Sequence, residues 1–423
     1  MRSTTPPEAA VRRLAFARFV SWAGTQAAYI ALIALIYGRS GGSGVWISAA
    51  LFAALGARVL VSPWAGSLGD YFDRRLVMVG SDLAAASCFL ALATVHSLPV
   101  LVALAALAGA AEAPFSPASG ALITMLVPEE RRGWGNGLLS AGSSSGMLLG
   151  AALGGVLVAT FGAATAFLLN AASFVVSAAF ASSVRGRFIV ERLDEAEHRG
   201  VLKGVHFLLG ERTLRLSTLS LALLALALGM TNVAELPFFV HIGAGRVGFG
   251  IAVAAWGAGQ ITGSRLASRV TDARRERLAL IVGGVLAAAA LGLSGALPFF
   301  VLVALLFAVA GAGNSFLNIG VVLMVQRWSP AQIQGRTLAA VEAVANTAIG
   351  VSLLAGGLLL TPLGARGVYL LAGGLGALAV AVSLRIPREP SEIRPNEQSV
   401  ALLQREETQR IDPRGYVPTP TPA

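Results

Sequence analysis

The chain has 423 residues, 55% of them hydrophobic and only 13% charged, with a mean hydropathy of +0.72. A soluble domain carries about 25% charged residues, so most of this surface is not built for water, which excludes a cytosolic enzyme, a nucleic-acid module and a disordered chain. The formal net charge is +10, and the one cysteine, Cys88, excludes a disulfide framework and a cysteine metal site. Among the 32 basic residues Lys203 is the one lysine, in the arginine- and alanine-rich manner of a high-GC genome.

A helix needs about 20 apolar residues to cross the hydrocarbon core. Twelve such runs lie near 14–37, 45–65, 76–95, 99–123, 135–160, 164–184, 214–240, 247–268, 278–297, 299–324, 336–361 and 365–385. The expectation is an all-α membrane protein of twelve transmembrane helices. The first run follows Arg12 and Arg13 but is long and has no small-residue cleavage site, so it reads as a span. Residues 1–13 precede the first bundle (14–184), and 185–213 form a charged linker before the second bundle (214–386). In the linker, Val201, Leu202, Val205, Leu208 and Leu209 make an apolar helical stripe suited to a membrane surface. The tail, 387–423, holds seven prolines and little apolar content, and reads as disordered.

Charge sets the expected orientation. The odd-numbered loops hold Arg39, Arg246 and Arg366, Arg18 and Arg58 fall within spans, and the other 27 of the 32 basic residues flank the even-numbered side or lie at the ends. Positive charge stays inside, so both termini are expected in the cytoplasm, with the chain in the cell membrane.

The halves repeat in one register. A shift of 202 places Asp70 on Asp272, Arg75 on Arg277, Gly154-Gly155 on Gly356-Gly357 and Gly162 on Gly364. The loop after the second span reads Gly66-Ser-Leu-Gly69-Asp70-Tyr71-Phe72-Asp73-Arg74-Arg75. It resembles the major facilitator signature Gly-x-Leu-x-Asp-Arg-x-Gly-Arg-Arg/Lys, with Tyr71 and Asp73 standing where arginine and glycine are usual. The second copy keeps Asp272 without the glycines. Two six-helix units in one orientation are the plan of those transporters. The Asp-Arg-Arg ending resembles the branch of macrolide-efflux pumps and siderophore exporters. By that resemblance Asp70 serves as a charge-assisted latch between the rocking halves. Span five carries Gly142, Gly146, Gly150, Gly154 and Gly155. Small residues every fourth position leave a groove for another helix. The stretch also resembles a proton-exporter motif, with Ala151 in place of proline.

Charge inside the bilayer is costly and marks functional candidates. Arg58 and Glu112 each lie 13 residues after the outer end of their span, about 20 Å down. Their counterparts, Gln260 and Asn314, are both neutral, so the two charges are expected to pair, as a brace or with Glu112 exchanging a proton. Asp82 and Glu342 are expected to pair with loop arginines, and Arg18 to reach the inner interface. The family resemblance implies that spans one, four, seven and ten line a central cavity. The candidates there are Trp22, Gln26, Tyr29, Phe115, Asn232, Glu235, Asn314 and Asn318.

Gly243-x-Gly245-x-x-Gly248 follows a membrane span and not a strand, so it is no dinucleotide fingerprint. No phosphate-binding loop and no histidine constellation is present, so an enzyme, a cofactor and a metal are not expected. The expected function is export of a small amphipathic compound, such as a drug, secondary metabolite or siderophore, by alternating access in exchange for protons. Its partners would be that small molecule, protons and the lipid bilayer, with no nucleic acid, and the chain would act as a monomer. The alternatives are an importer or facilitator of another solute, and a non-transporting membrane sensor.

Overall fold

The computed structural model describes residues 6–128, 131–184, 186, 188, 201–267, 273–329 and 333–387, without the side chains at 63, 65–67, 69–71, 124, 132–133, 201–203, 267 and 273. The tail beyond 387 therefore lies outside the described residues. Among them the chain forms thirteen helices: α1 Pro7–Arg39, α2 Gly44–Tyr71, α3 Arg74–Thr94, α4 Leu98–Glu112, α5 Phe115–Leu126, α6 Arg132–Phe161, α7 Ala163–Ser182, α8 Val201–Gly210, α9 Arg212–His241, α10 Gly245–Ala267, α11 Ala273–Ala296, α12 Phe300–Trp328 and α13 Gln334–Leu384.

Ten stretches are long and apolar enough to cross a membrane. They resolve into the expected twelve spans for two reasons. The 51 residues of α13 are two helices that turn at Gly364, where φ is 66°, a conformation open to glycine. The less apolar α10, with Gln260 and Arg265 along it, is the remaining crossing. Helices α4 and α5 together make span four, meeting at Ala113 and Pro114. The linker stripe becomes α8, which packs on α13 and α9. The first helix differs from expectation: it begins at Pro7, with proline in its first turn, where the missing N–H costs nothing.

The repeat survives into the backbone. Arg39 and His241 end α1 and α9, Thr94 and Ala296 end α3 and α11, and Ser182 and Leu384 end α7 and α13, each pair offset by 202. Gly162 and Gly364 make the same turn, with φ of 84° and 66°. Arg75 donates to the Val184 carbonyl at 3.3 Å, and its counterpart Arg277 donates to the Ile386 carbonyl at 2.9 Å. In each half an arginine at the third span thus satisfies a carbonyl left open at the end of the sixth.

The glycines of α6 set helix spacing. A Cβ at Gly142, Gly146, Gly150 or Gly154 would meet the backbone of Ala15, Phe19, Ala23 or Ala27 on α1. Fourfold periodicity on one helix meets fourfold periodicity on the other, so the backbones touch. Gly155 points elsewhere, across to the second half, where a Cβ would stand 2.7 Å from the Arg246 carbonyl oxygen and 2.9 Å from Gly250 Cα. Gly44 of α2 similarly abuts Gly357 and Leu360 of α13. Both seams lie at the far end of the bundle, opposite the end that carries Pro7 and Leu384. Towards that terminal end Glu342, Asn346 and Thr347 on α13 and Arg58 on α2 are exposed.

Candidate functional site

A cavity of about 430 Å³ opens inside the bundle. Its lining is drawn mainly from the second half: α9, α10, α11, α12 and α13, with α1 and α6 closing the first-half side. Of the sequence candidates, Gln26, Tyr29, Asn232, Glu235, Asn314 and Asn318 line it. Among the described residues Glu235 is the one charged residue in that lining, and Asn318 donates to the Asn314 carbonyl at 2.8 Å. Because α9 is a span with nearly all of one side buried, the half-buried Asn232 and Glu235, three residues apart, share its remaining face.

Two expected cavity residues sit elsewhere. Phe115 is buried at 6% exposure in a satellite cluster with Leu14, Met78 and Leu122. The guanidinium of Arg18 lies over its ring, 5.3 Å from the centroid. Trp22 is half-buried but is not among the residues lining the cavity. Among the described residues span four thus contributes nothing to this cavity, and Phe115 packs instead into the first bundle. Sequence reasoning missed Trp256 of α10 and Phe307 of α12, which line the cavity, and Tyr369. Tyr369 is fully buried behind it, its ring 4.6 Å from Phe238, and its hydroxyl has no hydrogen-bond partner. The signal for these residues was weak: an aromatic in an apolar span looks the same whichever way it faces.

Arg58 of α2 and Glu112 of α4 form the expected ion pair. Asp82 departs from expectation. It is only 2% exposed and reaches no loop arginine among the described residues; the Ser177 hydroxyl of α7 faces it, and the charges of Glu112 and Arg18 act on it. Glu342 is exposed, with no ion-pair partner among the described residues.

The latch loop is described in part. Gly66, Gly69 and Asp70 are described by their helical backbone alone, and the whole of Asp272 lies outside the described residues. Arg74 donates to the Ala121 carbonyl at 2.9 Å, so both loop arginines bind carbonyls of their own half. Asp73, where the signature has glycine, caps α3 by accepting from the Arg75 N–H at 2.9 Å. Its other oxygen accepts from the Phe188 N–H at 3.1 Å, and the Arg74 N–H donates to the Phe188 carbonyl at 3.2 Å. The start of the linker is thereby tied to the loop. No group of three or more metal-ligating side chains occurs among the described residues.

The sequence pattern of the Major Facilitator Superfamily matches residues 14–234 and again 216–418. The chain belongs to this superfamily of transporters. The pattern thus matches twice along the chain, the second match beginning near the start of α9. The multidrug resistance protein MdtG of Dickeya zeae is 34% identical over 145 residues, 34% of each chain. The chain thus aligns with about a third of the length of that relative. The uncharacterized MFS-type transporter YfiS of Bacillus subtilis is 24% identical over 75% of this chain and 78% of its own. Among solved structures, the nucleoside transporter NupG superposes with a TM-score of 0.73 at 14% identity, covering 89% of this chain and 98% of its own. An inward-facing, occupied bacterial homologue of the lysosomal transporter Spinster gives 0.72 at 12%, covering 90% and 97%. These two likenesses show the fold.

Proposed function

We propose that the chain exports a small amphipathic compound by alternating access, in exchange for protons moving inward. The observation that carries this reading is the cavity itself. A largely apolar wall with a few amides and one carboxylate, Glu235, suits a molecule with an apolar body and a polar or cationic group. Sealed glycine seams at the far end and exposed polar residues at the terminal end suit a carrier caught open on one side. The arginine distribution supports a cytoplasmic terminal end, from which this state would receive cargo. The partial match to MdtG supports efflux over uptake.

The test uses a bacterial host stripped of its own efflux pumps, with ethidium and macrolide accumulation measured with and without a protonophore. The chain should lower accumulation, and the protonophore should abolish the effect. Glu235→Gln should lose ethidium efflux while keeping wild-type membrane levels. Unchanged accumulation across cationic dyes and macrolides, or protonophore-dependent uptake, would reject export.

A further inference from the structure

The first half holds four charged side chains within its spans, and the corresponding positions of the second half hold none. In the 202 register Arg18 faces Ser220, Arg58 faces Gln260, Asp82 faces Gly284 and Glu112 faces Asn314. The second half completes the same six-helix bundle with neutral residues at these four positions. The charges are therefore no requirement of the fold, and in a bilayer each of them is costly.

Their pairing is incomplete. Arg58 is taken up by Glu112. Asp82 lies beside that pair, since the hydroxyl of its neighbour Ser81 donates to the Ala111 carbonyl at 2.6 Å. Asp82 is about two turns inside α3, yet one of its carboxyl oxygens is buried without a hydrogen-bond partner, and the polar group that faces the carboxyl is the fully buried Ser177 hydroxyl. Arg18 is the remaining cation. It rests on the Phe115 ring and not on Asp82, and its Nε is buried without a partner. The groups that act on Asp82 are thus Ser177 of α7, Glu112 of α4 and Arg18 of α1, while Arg58 of α2 is held by Glu112. The described side chains of α5 are uncharged, and Arg74 and Arg75 of α3 itself bind carbonyls at its end.

We propose that Asp82 is a proton-binding site of the first half, separate from the cargo cavity, with Arg18 as a counter-charge that shifts from the Phe115 ring to the Asp82 carboxylate when the proton leaves. In the conformation seen here one carboxyl oxygen of Asp82 is buried without a hydrogen-bond partner, and a buried charge left uncompensated is costly. On release the O–H bond of the carboxyl breaks and the proton passes to water. Arg18 keeps its proton throughout, and its movement neutralises the new carboxylate. A ring face holds a cation less tightly than a carboxylate does, which makes the exchange a two-position switch. Cargo and proton then occupy different halves, and the rocking of one half on the other couples them.

This inference rests on the proposed proton exchange, but one arm of its test does not. Infrared difference spectra of the full chain in detergent, recorded across pH, read carboxyl protonation without any cargo. One component of the protonated-carboxyl band should disappear with rising pH in the wild type, Glu112→Gln and Glu235→Gln, and that component should be missing from Asp82→Asn. In Arg18→Gln the band should persist to higher pH than in the wild type, because the carboxylate has lost its counter-charge. An unchanged band in Asp82→Asn, or an Arg18→Gln titration that matches the wild type, would overturn the proposal. In proteoliposomes with ethidium as the probe, Asp82→Asn should lose movement driven by a pH gradient while keeping ethidium counterflow, which needs no net proton flux. Gradient-driven movement at the wild-type rate would refute the site, and the retained counterflow shows that the variant is folded. If the wild type itself ignores the gradient, the proposed coupling fails and the infrared arm alone decides the proton site.

Discussion

The seam between α6 and α10 permits a direct test of which contacts hold the carrier in one state. A Cβ at Gly155 would stand 2.7 Å from the Arg246 carbonyl oxygen and 2.9 Å from Gly250 Cα, where ordinary contact begins at 3.4 Å. Both obstacles are backbone, so neither can swing aside, and Gly155→Val must part the helices by roughly half an ångström or more. Overpacking of this kind costs about 1–3 kcal/mol. The cost falls only on the state in which the far end is sealed. The equilibrium should therefore shift towards the far-end-open state by a factor of about 5–150, at about 1.4 kcal/mol per tenfold. Spin labels on Ser97→Cys and Phe299→Cys, in a Cys88→Ser background, report the separation of the two halves at that end. Gly155→Val should move the distance distribution to longer values and slow transport. Gly146→Val is the control, since its Cβ would strike the Phe19 backbone within the first half in either state. It should lower the melting temperature and leave the distance distribution alone. A wild-type distribution in Gly155→Val would refute the claim that this seam closes the far end.

The Arg58–Glu112 pair should show coupling in a double-mutant cycle of thermal stability in detergent. Arg58→Gln and Glu112→Gln should each destabilise, and the double variant should recover about 1–3 kcal/mol relative to their sum; strict additivity would mean the pair stores nothing. Asp73→Ala removes the α3 cap and the hold on Phe188, and should cost about 1–2 kcal/mol, with faster hydrogen exchange at residues 74–77 and 188. Equal exchange in variant and wild type would deny the clamp. Glu276 of α11 is 4% exposed and takes two nitrogens of Arg327, at 2.6–3.0 Å. Glu276→Ala should cost about 2–4 kcal/mol in urea or thermal unfolding, since breaking a buried pair strands a charge but partly exposed Arg327 can reach water. Glu276→Leu with Arg327→Leu should regain most of that loss.

Much of the site's neighbourhood was legible in the chain because its signals are local or repeated. Arg58 and Glu112 could be paired from the chain alone because both positions are neutral together in the second half. Gln26, Tyr29, Asn232 and Asn314 reached the cavity because polar groups in an apolar span are turned from lipid. Asp82 misled for the same kind of reason: depth suggested a loop partner, but its rotation about α3 turned it into the bundle, towards Ser177. Phe115 misled because an aromatic in an apolar span gives no sign of its rotation, and packing set it against Leu14, Met78 and Leu122.

The sequence by itself determined the class, the twelve spans, the duplication and the places where charge enters the bilayer. Hydropathy and helical rise are properties of short stretches, and a repeat needs only comparison of the chain with itself. Tertiary structure alone decided which face each helix shows. Spans that are apolar all round carry almost no signal of rotation, so only packing could place Trp256 on the cavity, Phe115 against Arg18, and Gly155, unlike its neighbour Gly154, on the seam between the halves.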